Sequence, residues 1–247
     1  MSSSAGNTIG PIETLGIVPP EIVRYLVART KMSKHIDFDT GNMLFEIADE
    51  YERLASNPPT LDPDSPRRKQ VAAETALGAL RMSQIKTAQD LGQNQVPFRH
   101  LSMLAQIRSA DHEIWSSLSR SGHIKGEPDG ALRTQLKKMR NWIESDHFPE
   151  DHRVRISTKV PEKLLGEMSD SQVEFLRSLA TSLTTSEWSD PSIGSAIFAT
   201  MDESASSRRE CYTAIYLALI GQERGPKIST LIAECDRNSI VNLFSLG

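Results

Sequence analysis

Cysteine is almost missing from this 247-residue chain: Cys211 and Cys235 are the only two. Two cysteines build neither a disulfide framework nor a cysteine-cluster zinc site, and they fit a reducing compartment. Long apolar runs are missing too. None approaches the roughly 20 residues of a membrane-crossing helix, and the Ser/Gly-rich start lacks the charged-then-apolar pattern of a secretory leader. Positive charge is not in excess. A formal net charge of -4 argues against a chain that coats nucleic acid non-specifically, although it leaves room for local basic faces. Strand signals are scarce, with no repeated alternation and no Asn-Gly hairpin. No strand, glycine loop and helix follow one another as a nucleotide fold requires. No spacing establishes a Ser/His/Asp, Cys/His or paired-carboxylate arrangement.

What is present is helical pattern. Pro19-Pro20-Glu21 opens a helix whose apolar face is Ile22, Val23, Leu26 and Val27, proline being tolerated in a first turn. Residues 29–40 read as an irregular connector. A second stripe follows at Met43, Leu44, Ile47, Ala48, Tyr51 and Leu54. The stretch Asn57 to Pro66 holds four prolines and cannot be helical, so it reads as a linker and domain boundary. Beyond it, residues 71–91, 97–107, 132–143, 173–183, 192–201 and 208–220 read as helices. Ser169-Asp170-Ser171-Gln172 caps the fourth of these, and Gly221 stops the last. The expected fold class is all-α. The expected division is 1–54, a Pro-rich linker at 55–66, and a helical domain at 67–247.

Several short motifs invite a chemical reading. Lys31-Met32-Ser33-Lys34 matches a nucleotide-loop signature, but it follows directly on a helix and meets no glycine before Gly41. It reads as a solvated connector. Met1-Ser2-Ser3-Ser4-Ala5-Gly6-Asn7 is the better loop, with hydroxyls and a glycine that allows close backbone approach, although its composition also suits a plain polar terminus. His147 and His152 lie among Asp146, Glu150 and Asp151, but Pro149 breaks the helix that would align them, so no metal site is expected. Arg133, Lys137 and Arg140 share one helical face at i, i+4 and i+7, which could hold phosphates or merely be solvated. Arg208-Arg209 is a second basic cluster. The tight loop Gly221-Gln222-Glu223-Arg224-Gly225-Pro226-Lys227 presents Arg224 and Lys227 to an anion, or simply connects two helices.

Taken together these pieces resemble the C-terminal part of a class I lysyl-tRNA synthetase. Met1 to Asn7 resembles that family's Lys-Met-Ser-Ser-Ser-x-Gly-Asn loop without its leading lysine. Pro20-Glu21-Ile22-Val23-Arg24-Tyr25-Leu26, Ala28-Arg29-Thr30-Lys31 and Lys34-His35-Ile36-Asp37-Phe38-Asp39 resemble the segments after it. Pro97-Phe98-Arg99-His100-Leu101, Arg140-Asn141-Trp142-Ile143, Ala214 to Gly221 and Glu223-Arg224-Gly225-Pro226 resemble later landmarks in the same order. One departure is Ser3, where many class I enzymes carry a second lysine.

The resemblance implies that Met1, Ser2, Ser3, Ser4 and Gly6 are the remnant of an ATP loop. It makes residues 1–54 a stem-contact subdomain and 67–247 an anticodon-binding domain. The expected partner is tRNA(Lys), gripped by Arg133, Lys137, Arg140, Arg208, Arg209, Arg224 and Lys227. The expected location is the cytoplasm. ATP would serve the complete enzyme, with no cofactor and no catalytic residue in this chain, because the nucleotide-binding sheet would precede Met1. A split-gene RNA-binding module meeting a separate catalytic chain, and a helical protein-interaction scaffold, are the two other readings of the same residues.

Overall fold

The computed structural model describes residues 10–36, 38–84 and 96–246. Among these are thirteen α-helices and no strand, so the all-α expectation holds. The described residues divide into two compact units, with the break at Pro149/Glu150.

The first unit contains α1 (Pro11–Ile17), α2 (Pro20–Arg29), α3 (Asn42–Ser56), α4 (Arg67–Ser83), α5 (Phe98–Ile107), α6 (Asp111–Arg120) and α7 (Gly130–Glu144). Proline begins or immediately precedes α1, α2, α4 and α5, where its missing N–H and fixed φ suit the first turn. Asp129 caps α7 by accepting the Leu132 N–H at 2.7 Å. The core forms around Trp142, which is fully buried. Phe45 and Phe148 each lie 4.8 Å from its ring and Phe98 lies 5.6 Å away. A buried indole N–H needs an acceptor, and Thr40 supplies its carbonyl at 2.7 Å. The α3 stripe buries Leu44, Phe45, Ile47 and Ala48 as the periodicity requires. On α2 the inward face is Ile22, Tyr25 and Leu26, whereas Val27 is 55% exposed. Tyr25 turns that face by donating its hydroxyl to Glu50 at 2.9 Å, and Glu50 also pairs with Arg29.

The Pro-rich stretch is ordered by its own side chains. Asp62 accepts from the Asp64 N–H and the Ser65 hydroxyl, and Gln70 donates back to the Pro63 and Ser65 carbonyls. It sits inside the first compact unit, with α2 packed on α4 and α3 on α5 across it. Compactness alone does not decide which residues meet which part of a partner, so a functional division at 55–66 is a separate matter from the structural break.

The second unit contains a 3-10 turn at Glu150–His152 and α8 (Glu162–Glu167), α9 (Asp170–Thr185), α10 (Asp190–Asp202), α11 (Arg208–Ile220), α12 (Ile228–Ala233) and α13 (Arg237–Ser245). α9 is its spine, packed by α10, α11 and α13, and it buries Phe175, Leu176, Leu179, Ala180 and Leu183. Capping boxes start α9 (Ser169, Gln172) and α11 (Ser207, Glu210). Gly221 ends α11 at φ +69°, the left-handed conformation that glycine adopts without a Cβ penalty.

Candidate RNA-binding surface

Lys31 to Lys34 form an exposed turn between α2 and α3, closed by the Lys34 N–H donating to the Lys31 carbonyl at 2.9 Å. This is the solvated connector expected of them. Met1, Ser2, Ser3, Ser4 and Gly6 lie outside the described residues. No group of three or more His, Cys, Asp or Glu side chains is placed to hold a metal among the described residues.

The candidate cations differ in how freely they could meet phosphate. Arg133 pairs with Glu127 at 3.4 Å, donates to the Pro128 carbonyl at 3.2 Å and lies 5.9 Å from the Trp115 ring centroid. Arg140 is drawn to the start of α6, where Asp111 accepts at 2.8 Å, and its side chain is only 27% exposed. Lys137 stands exposed between them. The row shares one face of α7, but its two arginines are engaged within the first unit. Trp142, beside Arg140 in sequence, is core and offers no stacking surface.

In the second unit, Arg208 pairs with Asp202 at 2.9 Å and Arg209 is exposed. Arg224 is 84% exposed and reaches Asp151 only at 3.8 Å, a separation worth little in water. Lys227 contacts Asp190 at 2.9 Å with its side chain 71% exposed. Asp190 also accepts the Ser229 and Thr230 hydroxyls, each at 2.6 Å. Burial pushes this carboxyl up, but the bonds from Ser229, Thr230 and Lys227 outweigh it and hold Asp190 below the usual carboxylate range. The loop carrying Arg224 and Lys227 is fixed from below. The Tyr216 hydroxyl donates to the Pro226 carbonyl at 2.6 Å, and Gln222 donates to the Arg153 carbonyl at 3.0 Å.

Between α10, α11 and the start of α12 lies a groove of about 420 Å³. Its walls include Phe198, Tyr212 and Tyr216, with Lys227 and Asp190 at its edge. Phe198 is 49% exposed. Sequence motifs alone do not reveal this groove. The one signal it leaves in the sequence is the pair Tyr212 and Tyr216, one helical turn apart on a helix bracketed by basic residues.

In the second unit, Arg208, Arg209, Arg224 and Lys227 thus lie around an aromatic groove on a chain of slight net negative charge. The family model that matches is described as tRNA synthetases class I (K), and it covers residues 1–79. Over nearly its whole length, the chain is 27% identical over 245 residues to a lysine–tRNA ligase of Picrophilus torridus, covering 99% of this chain and 46% of that protein. It is 28% identical over 264 residues to the lysine–tRNA ligase of Methanosarcina barkeri, with coverage of 99% and 46%. Against that of Thermoplasma acidophilum it is 28% identical over 236 residues, with 92% and 42%. The chain spans about half the length of these curated relatives.

Proposed function

We propose that this chain is the tRNA(Lys)-binding C-terminal portion of a class I lysine–tRNA ligase. The observation that carries the reading is similarity running through 99% of the chain to proteins named lysine–tRNA ligase. In the complete enzyme, ATP would activate lysine at a nucleotide-binding domain, and the amino acid would pass to the tRNA. The part played by this chain in that scheme would be grip and orientation of the tRNA. Residues 1–54 would contact the tRNA stem near the catalytic centre, and residues 67–247 would hold the anticodon stem-loop. The setting is the cytoplasm, where tRNA is charged, and no described helix is long and apolar enough to cross a membrane.

The grip is electrostatic first. Arg209, Arg224 and Lys137 are exposed and weakly engaged, so they can neutralise phosphates without breaking a strong internal contact. Arg133, Arg140, Arg208 and Lys227 would have to share themselves between an internal carboxylate and the RNA. Nuclease protection of a tRNA(Lys) transcript by residues 1–247 tests the reading. Protection should concentrate on the anticodon stem-loop. Protection spread evenly over the tRNA, or none at low salt, would remove the anticodon assignment.

A further inference from the structure

We infer that the groove between α10, α11 and α12 is a site for an unpaired nucleobase of single-stranded RNA, with Phe198 as its stacking platform. The inference rests on the tRNA-binding reading above and adds a specific occupant to a specific place. At about 420 Å³ the groove falls within the roughly 300–1,000 Å³ of sites that take small organic groups. Phe198 is half exposed at its wall, so much of its phenyl ring still meets water, an unfavourable position for apolar surface. The Arg208 guanidinium stands 5.8 Å from the centre of that ring. A flat π-face flanked by a guanidinium is what an unstacked base needs for stacking and cation–π contact together.

The other walls supply rigidity and a polar edge. Tyr216 is locked by its bond to the Pro226 carbonyl, and burial, reinforced by the neighbouring Tyr212, pushes its phenol above the ordinary value. The Tyr212 hydroxyl makes none of the described hydrogen bonds and can donate to or accept from a base edge. The Lys227 ammonium is anchored on Asp190 yet keeps donor capacity, since it carries three protons. Anchored side chains lose little entropy when a ligand arrives.

The layout along α11 favours a nucleic acid over a protein segment. Arg208 and Arg209 open this 13-residue helix, Tyr212 and Tyr216 occupy its middle, and Arg224 and Lys227 follow its end. Cations therefore bracket the aromatics over roughly 20 Å of helix. An apolar protein segment would need no charge at either end, whereas a single strand carries a phosphate on each side of every base.

The test is titration of a fluorescently labelled tRNA(Lys) transcript with wild type, Phe198→Ala and Phe198→Trp. Phe198→Ala should bind about tenfold more weakly or worse, the loss expected for one stacked base. Its salt dependence should match wild type because no charge is removed. Phe198→Trp should restore affinity, and its added emission should be quenched by saturating tRNA. Unchanged affinity in Phe198→Ala, with emission of Phe198→Trp unmoved, overturns the base site while tRNA binding by wild type still stands. That is also the result a protein-binding groove would give. Failure of wild type to bind the transcript at all would take down both this site and the reading beneath it.

Discussion

Glu52 shows what burial does to a single side chain. Its carboxylate accepts the Phe98 N–H at 2.6 Å at the start of α5. Burial pushes its pKa to about 7, with the Phe98 bond and Arg99 opposing and Asp49 assisting. A raised carboxyl pKa means the folded state holds a proton that the unfolded chain has already released between about pH 4.5 and 7. Stability therefore falls as pH rises through that window. Glu52→Gln keeps an acceptor for Phe98 and removes the penalty. Its stability relative to wild type should grow from pH 4.5 to 7, reaching a few kcal/mol above it, as urea unfolding at several pH values would record. A flat difference would place Glu52 in water. Gly225 makes a second residue-scale prediction. A Cβ there would lie 2.7 Å from Ile220 Cδ1 and 3.2 Å from the Tyr216 ring. Gly225→Ala should cost about 1–3 kcal/mol as the Ile220 side chain and the Tyr216 ring are pushed aside, read as a lower melting temperature. An unchanged melting temperature would show the loop to be slack. Neither property is legible in the sequence. Glu52 sits 46 residues from Phe98, and the Gly-Pro pair announces a turn without saying what packs under it.

Among the elements, α7 does more than bury a stripe. Lys138 donates to the Leu15 carbonyl at 2.5 Å and the Val18 carbonyl at 3.2 Å, and Asn141 donates to the Gly16 carbonyl at 3.1 Å. These are carbonyls at the end of α1 that the helix itself leaves unbonded, and a cation there also meets the negative end of the helix dipole. Burial lowers the Lys138 pKa, which marks an amine drawn out of water to do this. Lys138→Met should leave the unit folded but raise amide exchange across α1, with a stability decrease of about 1–2 kcal/mol. Equal exchange in both proteins would mean that packing alone holds α1. Much of the helical layout is readable from the sequence, because periodicity, prolines and caps act locally. Ser169-Gln172 and Gly221 punctuate the chain where their residue types place a helix start and a helix end. Short helices such as α8 and α12, each six residues, escape because they carry too few turns to show a period. Arg140 belongs in sequence to a regular basic row, yet Asp111 claims it from 29 residues away. Long-range partners decide which cations remain available, and no local pattern encodes them.

At the scale of the whole molecule, the proposed reading is of a chain that binds tRNA and leaves lysine activation to another part of the enzyme. Purified residues 1–247 should show no lysine-dependent exchange of pyrophosphate into ATP; exchange free of contaminating enzyme would mean that this half carries an adenylation site. The most direct measurement is the affinity of the chain for tRNA(Lys) as a function of salt, for wild type and for Arg224→Ala/Lys227→Ala. The logarithm of the wild-type association constant should fall linearly with the logarithm of salt concentration. The double variant should bind more weakly, its slope shallower by roughly one or two units, about 0.7–0.9 for each phosphate that is no longer neutralised. Absence of any complex at low salt, or an affinity that salt does not change, would contradict the account.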